Sequence, residues 1–507
     1  MSQAASRRRA GGRSDRLRQR AAGPPNPCPP GQRGGQYRPL DDDEIVAIHN
    51  TALRLLAELG MGEVPERLRG DLLAAGAQEG ADGRVLFPQD LVGEAISAAP
   101  KTVTLHARDP KRTIEVGGDR VHFGTGGAAV QTLDLDTGLY RPSTLADLHD
   151  FARLQDTLTN VSWFTRCCVA TDLEDNFELD VNTVYALVRN TTKPVATSFT
   201  LAEYVPPIVE MLDIVAGGPG AFSERPFLAA HISPVISPMR YGEDAVDVVY
   251  ATLAHNIPVS CITAAQSGAT APATLAGFLA QSHAETLASL VMVHAIRPGH
   301  PMIFSNWPFV IDLRSGAFAG GGGEIAVMNA ASAQISNWLD LPSGVACAMT
   351  DAKAVDAQYG AEKALTALAA GLAGGNMIYE SSGMTASLLG ASFEGFVLDN
   401  EMLALIYRAM RGVEVNEQTL SFDAIRETVL GDGHFLGHAQ TYAAMERDYF
   451  YPKLADRDAP SMWAEKGAPD IWTRARDSAR RILASHNPAY LTEEQEALIQ
   501  ARFPIRS

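Results

Sequence analysis

Hydrophobic positions along this chain recur with two different periods. From Asp41 to Gly60 the apolar residues Ile45, Ile48, Leu53, Leu56 and Leu59 keep helical spacing. The acids Asp41 to Glu44 stand where a helix dipole favours negative charge, and Gly60 supplies a stop. Residues 65–100 predict two short helices around a turn at Gly80–Gly83, and residues 101–120 predict short strands. Together 41–119 are expected to form a small N-terminal α+β cap. From about residue 120 short apolar runs alternate with longer helical stretches. The runs are Val121–Gly124, Val161–Arg166, Pro194–Phe199, Phe227–Ser233, Pro258–Thr263, Met302–Trp307, Gly344–Thr350 and Met377–Glu380. They begin 31 to 44 residues apart, enough for a crossover helix in every gap.

The helices between them are readable. Asp244–Asn256 sets Val246, Val249 and Leu253 on one face; Thr274–Ile296 does the same with Leu275, Phe278, Leu279, Leu287, Leu290 and Val291. Eight such repeats predict an α/β fold, a (β/α)8 TIM barrel over residues 120–410. The alternative is an open doubly wound sheet, but Gly124–Thr125–Gly126–Gly127 lacks the third glycine of a dinucleotide fingerprint. Residues 411–507 read as a charged C-terminal helical extension with Trp463, Trp472 and Tyr449–Phe450–Tyr451, expected to pack on the barrel or on a second subunit.

Composition narrows the class. The 507 residues are 46% hydrophobic and 20% charged, with a net charge of −17, which suits a soluble globular protein and argues against nucleic acid as a partner. Residues 1–40 carry nine Arg and the single acid Asp15, so this stretch is +8 and the remainder −25. It is rich in Gly, Pro, Ser and Gln and poor in large aliphatics, and is expected to be a disordered basic tail. No apolar segment follows the arginines as a signal peptide requires, and Pro24–Pro30 fits a transit peptide poorly. Five cysteines are too few for a disulfide framework, and no run of about 18 apolar residues predicts a membrane span. A cytoplasmic enzyme is the expectation.

In a TIM barrel the active site lies at the C-terminal ends of the strands, so the architecture names the residues to inspect. The expected mouth is aromatic: Trp163, Phe164, Phe199, Trp307, Phe309 and Tyr379. Arg166 and Lys353 are its bases and Asp351 and Glu380 its acids, with His231, Gln266 and Asn306 as further polar groups. Aromatic rings with few charges suit a quaternary ammonium, which cannot donate hydrogen bonds and is held by cation–π attraction. Gly126, Gly127, Gly268, Gly321 and Gly322 lie on loops where backbone could approach a flat cofactor. No metal site is expected. Cys167 and Cys168 are adjacent, and Cys261 and Cys347 lack a nearby His–x–Cys pairing. No nucleophile elbow of a Ser–His–Asp hydrolase is present.

Several stretches together resemble the trimethylamine methyltransferase family of corrinoid-dependent methyltransferases, from about residue 38 to the end. They are Phe87–Val92 (FPQDLV), Leu105–Pro110 (LHARDP), Leu133–Gly138 (LDLDTG), Arg141–Leu154 (RPSTLADLHDFARL), Asn190–Pro194 (NTTKP), Thr350–Leu368 (TDAKAVDAQYGAEKALTAL), Ala391–Leu403 (ASFEGFVLDNEML) and Gly433–Thr441 (GHFLGHAQT). The resemblance implies a barrel that moves a methyl group from a methylated amine to Co(I) of a corrinoid (cobalamin) held on a separate small corrinoid-binding protein, with no cofactor bound by this chain. The founding member contains pyrrolysine. This chain has only standard residues, so the resemblance points to the members that act on quaternary amines such as glycine betaine. A homo-oligomer is also implied, and no strand-end residue is assigned a catalytic role.

Two other readings compete. One is a non-catalytic osmolyte-binding barrel; the other is a hydrolytic or Schiff-base enzyme using Lys353. Asp432–Gly433–His434–Phe435–Leu436–Gly437 also matches the Asp-x-His-x-x-Gly pattern of a cobalt-ligating histidine, but only 70 residues follow and they read as charged helices. That leaves no room for the rest of a corrinoid domain, so the match is expected to be coincidental.

Overall fold

The computed structural model describes residues 26–506. Its centre is eight parallel strands: β1 Arg120–Phe123, β2 Phe164–Thr165, β3 Val195–Thr197, β4 Leu228–Ile232, β5 Val259–Thr263, β6 Met302–Asn306, β7 Ser343–Ala346 and β8 Met377–Tyr379. Seven neighbouring pairs are joined by ladders, from β2 through β8 and back to β1. The remaining seam, β1 to β2, closes differently. Ser162 N–H donates to the Phe123 carbonyl at 2.7 Å, and the Thr125 hydroxyl donates to the Thr165 carbonyl while accepting from the Thr165 N–H, each at 2.7 Å. The eight apolar runs are thus the eight barrel strands; six are trimmed at their ends, while the first and seventh begin one residue earlier and end sooner than the run.

A helix follows each strand. The helix after β1, Leu145–Asp156, begins at a capping box in which Thr144 and Asp147 satisfy each other's backbone N–H groups. The helix after β5, Leu275–Ile296, is buried on nearly every face. Its outer side carries the cap: Asp42–Glu58, Glu66–Ala74 and Gln89–Ala98 all pack on it, and His49 Nδ1 meets His283 Nε2 at 3.0 Å. A hairpin of Thr102–Leu105 and Ile114–Gly117 completes the cap. Above the mouth Gln131–Leu133, Tyr140–Pro142, Met384–Thr385 and Gly390–Ser392 form a small sheet. The helix after β8, Phe393–Arg411, descends from this sheet to the opposite end of the barrel. Later the chain returns along its side as Ile471–Ser485 and ends with Glu493–Arg502 against Val205–Ala216.

The expected tail needs one correction. Residues 1–25 lie outside the described residues, but residues 26–40 are tied to the barrel. Cys28 is buried, Gln32–Arg33 pair antiparallel with Val121 and Arg120, and the N–H groups of Gly35 and Tyr37 donate to the Leu372 carbonyl. Composition weighs side chains; this segment is held mainly by its backbone. All five cysteines are free and buried. Among the described residues no helix is long and apolar enough to cross a membrane.

Because one hydroxyl joins the β1–β2 seam, Thr125→Val is expected to cost about 1–3 kcal/mol by leaving buried backbone groups unpaired. Denaturant unfolding followed by circular dichroism checks this, with Thr125→Ser expected to retain most of the stability.

Candidate active site

Side chains alternate inward and outward along a strand, and parallel neighbours in register share a face. Applied to the barrel, this puts His122 and Gly124 of the first strand inside, with Trp163, Thr165, His231, Ser260, Ser305, Trp307, Gly344 and Tyr379. Tyr379 is the hub. Its ring lies 5.3 Å from Trp163, 5.0 Å from His231 and 4.9 Å from Trp307, and its hydroxyl donates to Ser260 Oγ at 3.2 Å. Ser260 and Ser305 are bonded at 2.6 Å beneath it. Glycine makes the crowding feasible. A Cβ at Gly124 would stand 2.1 Å from the Trp163 ring, and one at Gly344 would meet Ser305 Oγ at 2.3 Å and the Tyr379 ring at 3.1 Å.

Polar atoms facing this space are left without partners among the described residues: Trp163 Nε1, Trp307 Nε1, Thr165 Oγ1 and Glu380 Oε2. Each such orphan costs on the order of 1–3 kcal/mol when nothing is bound. Thr165, Trp307 and Glu380 stand at the C-terminal ends of barrel strands, and the Trp163 ring meets Tyr379 at that end, which makes it the candidate ligand site. Arg166 adds an unpaired charge. No carboxylate among the described residues lies within ion-pair distance of it, and Asp180, whose charge acts on it, is occupied by Thr200 N–H at 2.6 Å and Thr200 Oγ1 at 2.9 Å. Burial, and secondarily the Arg166 charge, drive His231 down to about 3, so this imidazole is neutral.

Glu380 breaks the alternation. Its φ of +64° turns the carboxyl sideways beneath the loop after β1. A Cβ at Gly126 would come within 2.8 Å of Glu380 Oε1, and one at Gly127 within 2.9 Å of Oε2, so the two glycines form a cradle for this carboxyl. Burial pushes Glu380 up to about 8, opposed by the Gly127 N–H and the Lys363 charge. Behind it Lys363 and Asp399 form a fully buried ion pair at 3.2 Å. Asp399 also accepts from Tyr359 Oη at 2.8 Å and Gly383 N–H at 2.7 Å, which fixes the loop following Glu380.

Other expected site residues lie elsewhere. Phe164 and Asn306 occupy outward registers, Asn306 on the same face as Phe304, whose ring meets His283 on the helix layer. Phe199 is buried but makes none of the ring contacts around Tyr379. Phe309 extends the stack at the rim, 6.2 Å from Trp307 and 4.9 Å from Phe318. Gln266 is exposed on the loop after β5. Lys353 is exposed too, and its ammonium donates to the Asp351 carbonyl at 2.7 Å. Asp351 clamps loops: it accepts from Gly320 N–H at 2.7 Å and Ser387 Oγ at 2.8 Å. The room at Gly321 is taken by the Glu362 carboxylate, Gly322 borders Glu324, and Gly268 lies under Leu313, so these three do not form a cofactor cradle. Thr165 was missed, though period-two alternation from Trp163 points to it. Lys363 was missed as well; a single lysine one turn after Tyr359 in an Ala- and Leu-rich helix was its signal.

Among the described residues no group of three His, Cys, Asp or Glu is arranged to hold a metal, and His434 sits in an exposed loop. The trimethylamine methyltransferase (MTTB) family matches residues 9–504. The chain belongs to this family. It is a methyltransferase of the methylamine class, similar to the glycine betaine methyltransferase of Desulfitobacterium hafniense (strain Y51), with 30% identity over 93% of this chain and 97% of that one. It is also similar to the trimethylamine methyltransferase MttB of D. hafniense (strain DSM 10664 / DCB-2), 31% identical over 91% of this chain and 92% of that protein. Its likeness to the monomethylamine methyltransferase of Methanosarcina barkeri covers 90% of this chain and 96% of that one, at 14% identity and a TM-score of 0.44.

Two substitutions probe how this methyltransferase holds its mouth. Gly124→Ala is expected to displace Trp163, read as a shift in tryptophan emission with the fold retained. Lys363→Met is expected to cost about 3–5 kcal/mol in denaturant unfolding, because it strands a buried carboxylate; Lys363→Met with Asp399→Leu is expected to recover part of that loss.

Proposed function

We propose that this enzyme takes a methyl group from a quaternary amine bearing a carboxylate, of the glycine betaine type, and passes it to Co(I) of a corrinoid carried on a separate small protein. The observation that carries this reading is the stack of Trp163, Trp307 and His231 around Tyr379, with the Arg166 charge near enough to act on that imidazole and the Glu380 carboxyl buried at the same end of the barrel. The guanidinium suits a carboxylate, the aromatic faces suit a cation without N–H groups, and each ring in such a cage contributes about 0.5–2 kcal/mol. The glycine betaine methyltransferase relative, matched over nearly its whole length, supports the same substrate class.

The chemistry asks little acid–base work of the protein. As the methyl passes to the cobalt nucleophile, the C–N bond breaks with its electron pair remaining on nitrogen, and the C–Co bond forms from the pair on Co(I). The product is a neutral tertiary amine, so no proton needs to be delivered. The task is to hold the N–CH3 bond toward the open mouth and exclude water, which is positioning and electrostatics. Neutral His231 and the Tyr379 hydroxyl, turned down to Ser260, add no positive charge of their own to the wall above the serines. Free cysteines throughout suit a reducing compartment such as the cytoplasm.

The direct test supplies Co(I)-cobalamin or the carrier protein with a panel of betaines and methylated amines and follows methylcobalamin by absorbance. Glycine betaine-type substrates are expected to react; trimethylamine as the sole substrate would refute the quaternary assignment. Arg166→Met is expected to raise KM at least tenfold for a betaine and far less for tetramethylammonium, which lacks the carboxylate. If no amine supports methyl transfer while betaine still binds, the barrel is a binding protein.

The protonation of Glu380 sets a pH signature. With this group up at about 8, the free site is largely protonated at pH 7. A bound cation favours the carboxylate, so binding releases a proton and tightens as pH rises from 7 to 9. Calorimetric titration is expected to show Kd falling several-fold over that range, and Glu380→Gln to remove the dependence.

A further inference from the structure

The edge of β1 that faces β2 is shared between two segments. Gly31 N–H donates to the Val121 carbonyl at 2.9 Å, and Ser162 N–H to the Phe123 carbonyl at 2.7 Å. Where these segments meet lies a second cavity, of about 590 Å³. It is lined by Arg120 and His122 of β1, by Ser162 on the chain entering β2 and by Lys193 on the chain entering β3, with Lys111 and Arg112 from the cap. It therefore opens on the N-terminal side of the barrel, and none of these residues belongs to the ring stack around Tyr379.

Two buried polar atoms on its wall have no hydrogen-bond partner among the described residues, His122 Nδ1 and Ser162 Oγ. His122 is 6% exposed and Ser162 8%. The chemistry that His122 lacks can be specified. Its Nε2 lies 3.2 Å from the Glu115 carbonyl, which can only accept, so Nε2 carries the proton. Burial holds this imidazole down at about 4, so the ring is neutral and Nδ1 presents a lone pair. A hydrogen-bond donor is what completes it.

Charge on the wall makes the opposite demand. Lys111, Arg112 and Arg120 stand with two carboxylates, Glu115 and Asp156. Asp156 is saturated, because Arg112, Thr191 Oγ1, His486 and Tyr490 Oη all reach it. Glu115 pairs with Arg120 at 3.2 Å, and Lys111 has no carboxylate within ion-pair distance among the described residues. Lys193 lies buried behind them, its ammonium donating to the carbonyls of Gln155, Leu158 and Val161. Burial brings Lys193 down to about 7, so it adds part of a further positive charge at pH 7. The cavity is cationic, yet its buried imidazole is an acceptor.

We propose that this cavity binds a small oxyanion that also carries a hydroxyl, such as hydrogen phosphate or a hydroxycarboxylate. The anionic oxygens lie toward Lys111, Arg112 and Arg120, Ser162 Oγ donates to one of them, and the ligand O–H donates to His122 Nδ1. A plain oxyanion sets its lone pairs against that of His122, and a neutral alcohol leaves the cationic wall unused. The proposal does not rest on the chemistry at the mouth.

Isothermal titration of the full chain compares inorganic phosphate with sulfate and glycolate with acetate, the second of each pair lacking the hydroxyl. Phosphate or glycolate is expected to bind with a Kd of about 1 mM or tighter, and its plain counterpart about tenfold more weakly or less. The pair that shows the preference names the head group. His122→Phe is expected to abolish the preference, Lys111→Ala to weaken binding about threefold while keeping it, and Arg166→Met at the mouth to change neither. Equal binding within both pairs, no binding by any of the four, or binding lost in Arg166→Met overturns the proposal. Should His122→Phe fail to fold, the 15N resonance of His122 Nδ1 in the wild type replaces it: saturating phosphate or glycolate is expected to shift it, and an unmoved resonance overturns the proposal.

Discussion

The crowding of the barrel interior around Tyr379 is the constraint from which the rest of the site follows. A tyrosine ring, two tryptophans and an imidazole share the upper barrel. Only small residues can lie opposite them, and Gly124 and Gly344 stand where a single methyl group would collide. The large rings form the wall of this space, and the N–H groups of Trp163 and Trp307 are left unpaired in it among the described residues. A pocket of this kind does not select by many hydrogen bonds. It selects by shape and charge, which suits an ion whose own surface is methyl groups.

The same crowding explains why charge is arranged in depth. Glu380 stands at the edge of the stack with a carboxyl that burial keeps neutral at pH 7, and Lys363 and Asp399 lie behind it as a closed pair. Taking two ions out of water is costly. Here the pair, with Tyr359 and the Gly383 N–H, fixes the loop on which Glu380 turns back under Gly126 and Gly127. Glu380 therefore keeps a strained left-handed backbone that a looser loop would release.

Most of the architecture was legible because both of its periods are written in the apolar residues. Eight short apolar runs and the helical stretches between them specify eight strands and seven crossovers, and every run became a strand. The site was only half legible. Position at a strand end located Trp163, His231, Trp307, Tyr379 and Glu380, but it does not say which way a side chain faces, and Phe164 and Asn306 fell in outward registers. Asp351 and Lys353 read as charges for a ligand and instead serve the backbone of neighbouring loops. Glycine runs were ambiguous for a similar reason: Gly126 and Gly127 admit a carboxyl from the chain itself, and Gly321 makes way for Glu362. Residues 26–40 escaped a reading by composition because backbone pairing leaves no mark in side-chain hydrophobicity.

The helix Leu275–Ile296 is covered by the barrel on one side and by three cap helices on the other, with His49 and His283 joining the two layers. A barrel helix normally keeps one face for water. This one has given both away, so residues 41–119 are not an appendage that can come and go. Barrel and cap share one core, and heat or denaturant should take them apart in a single transition.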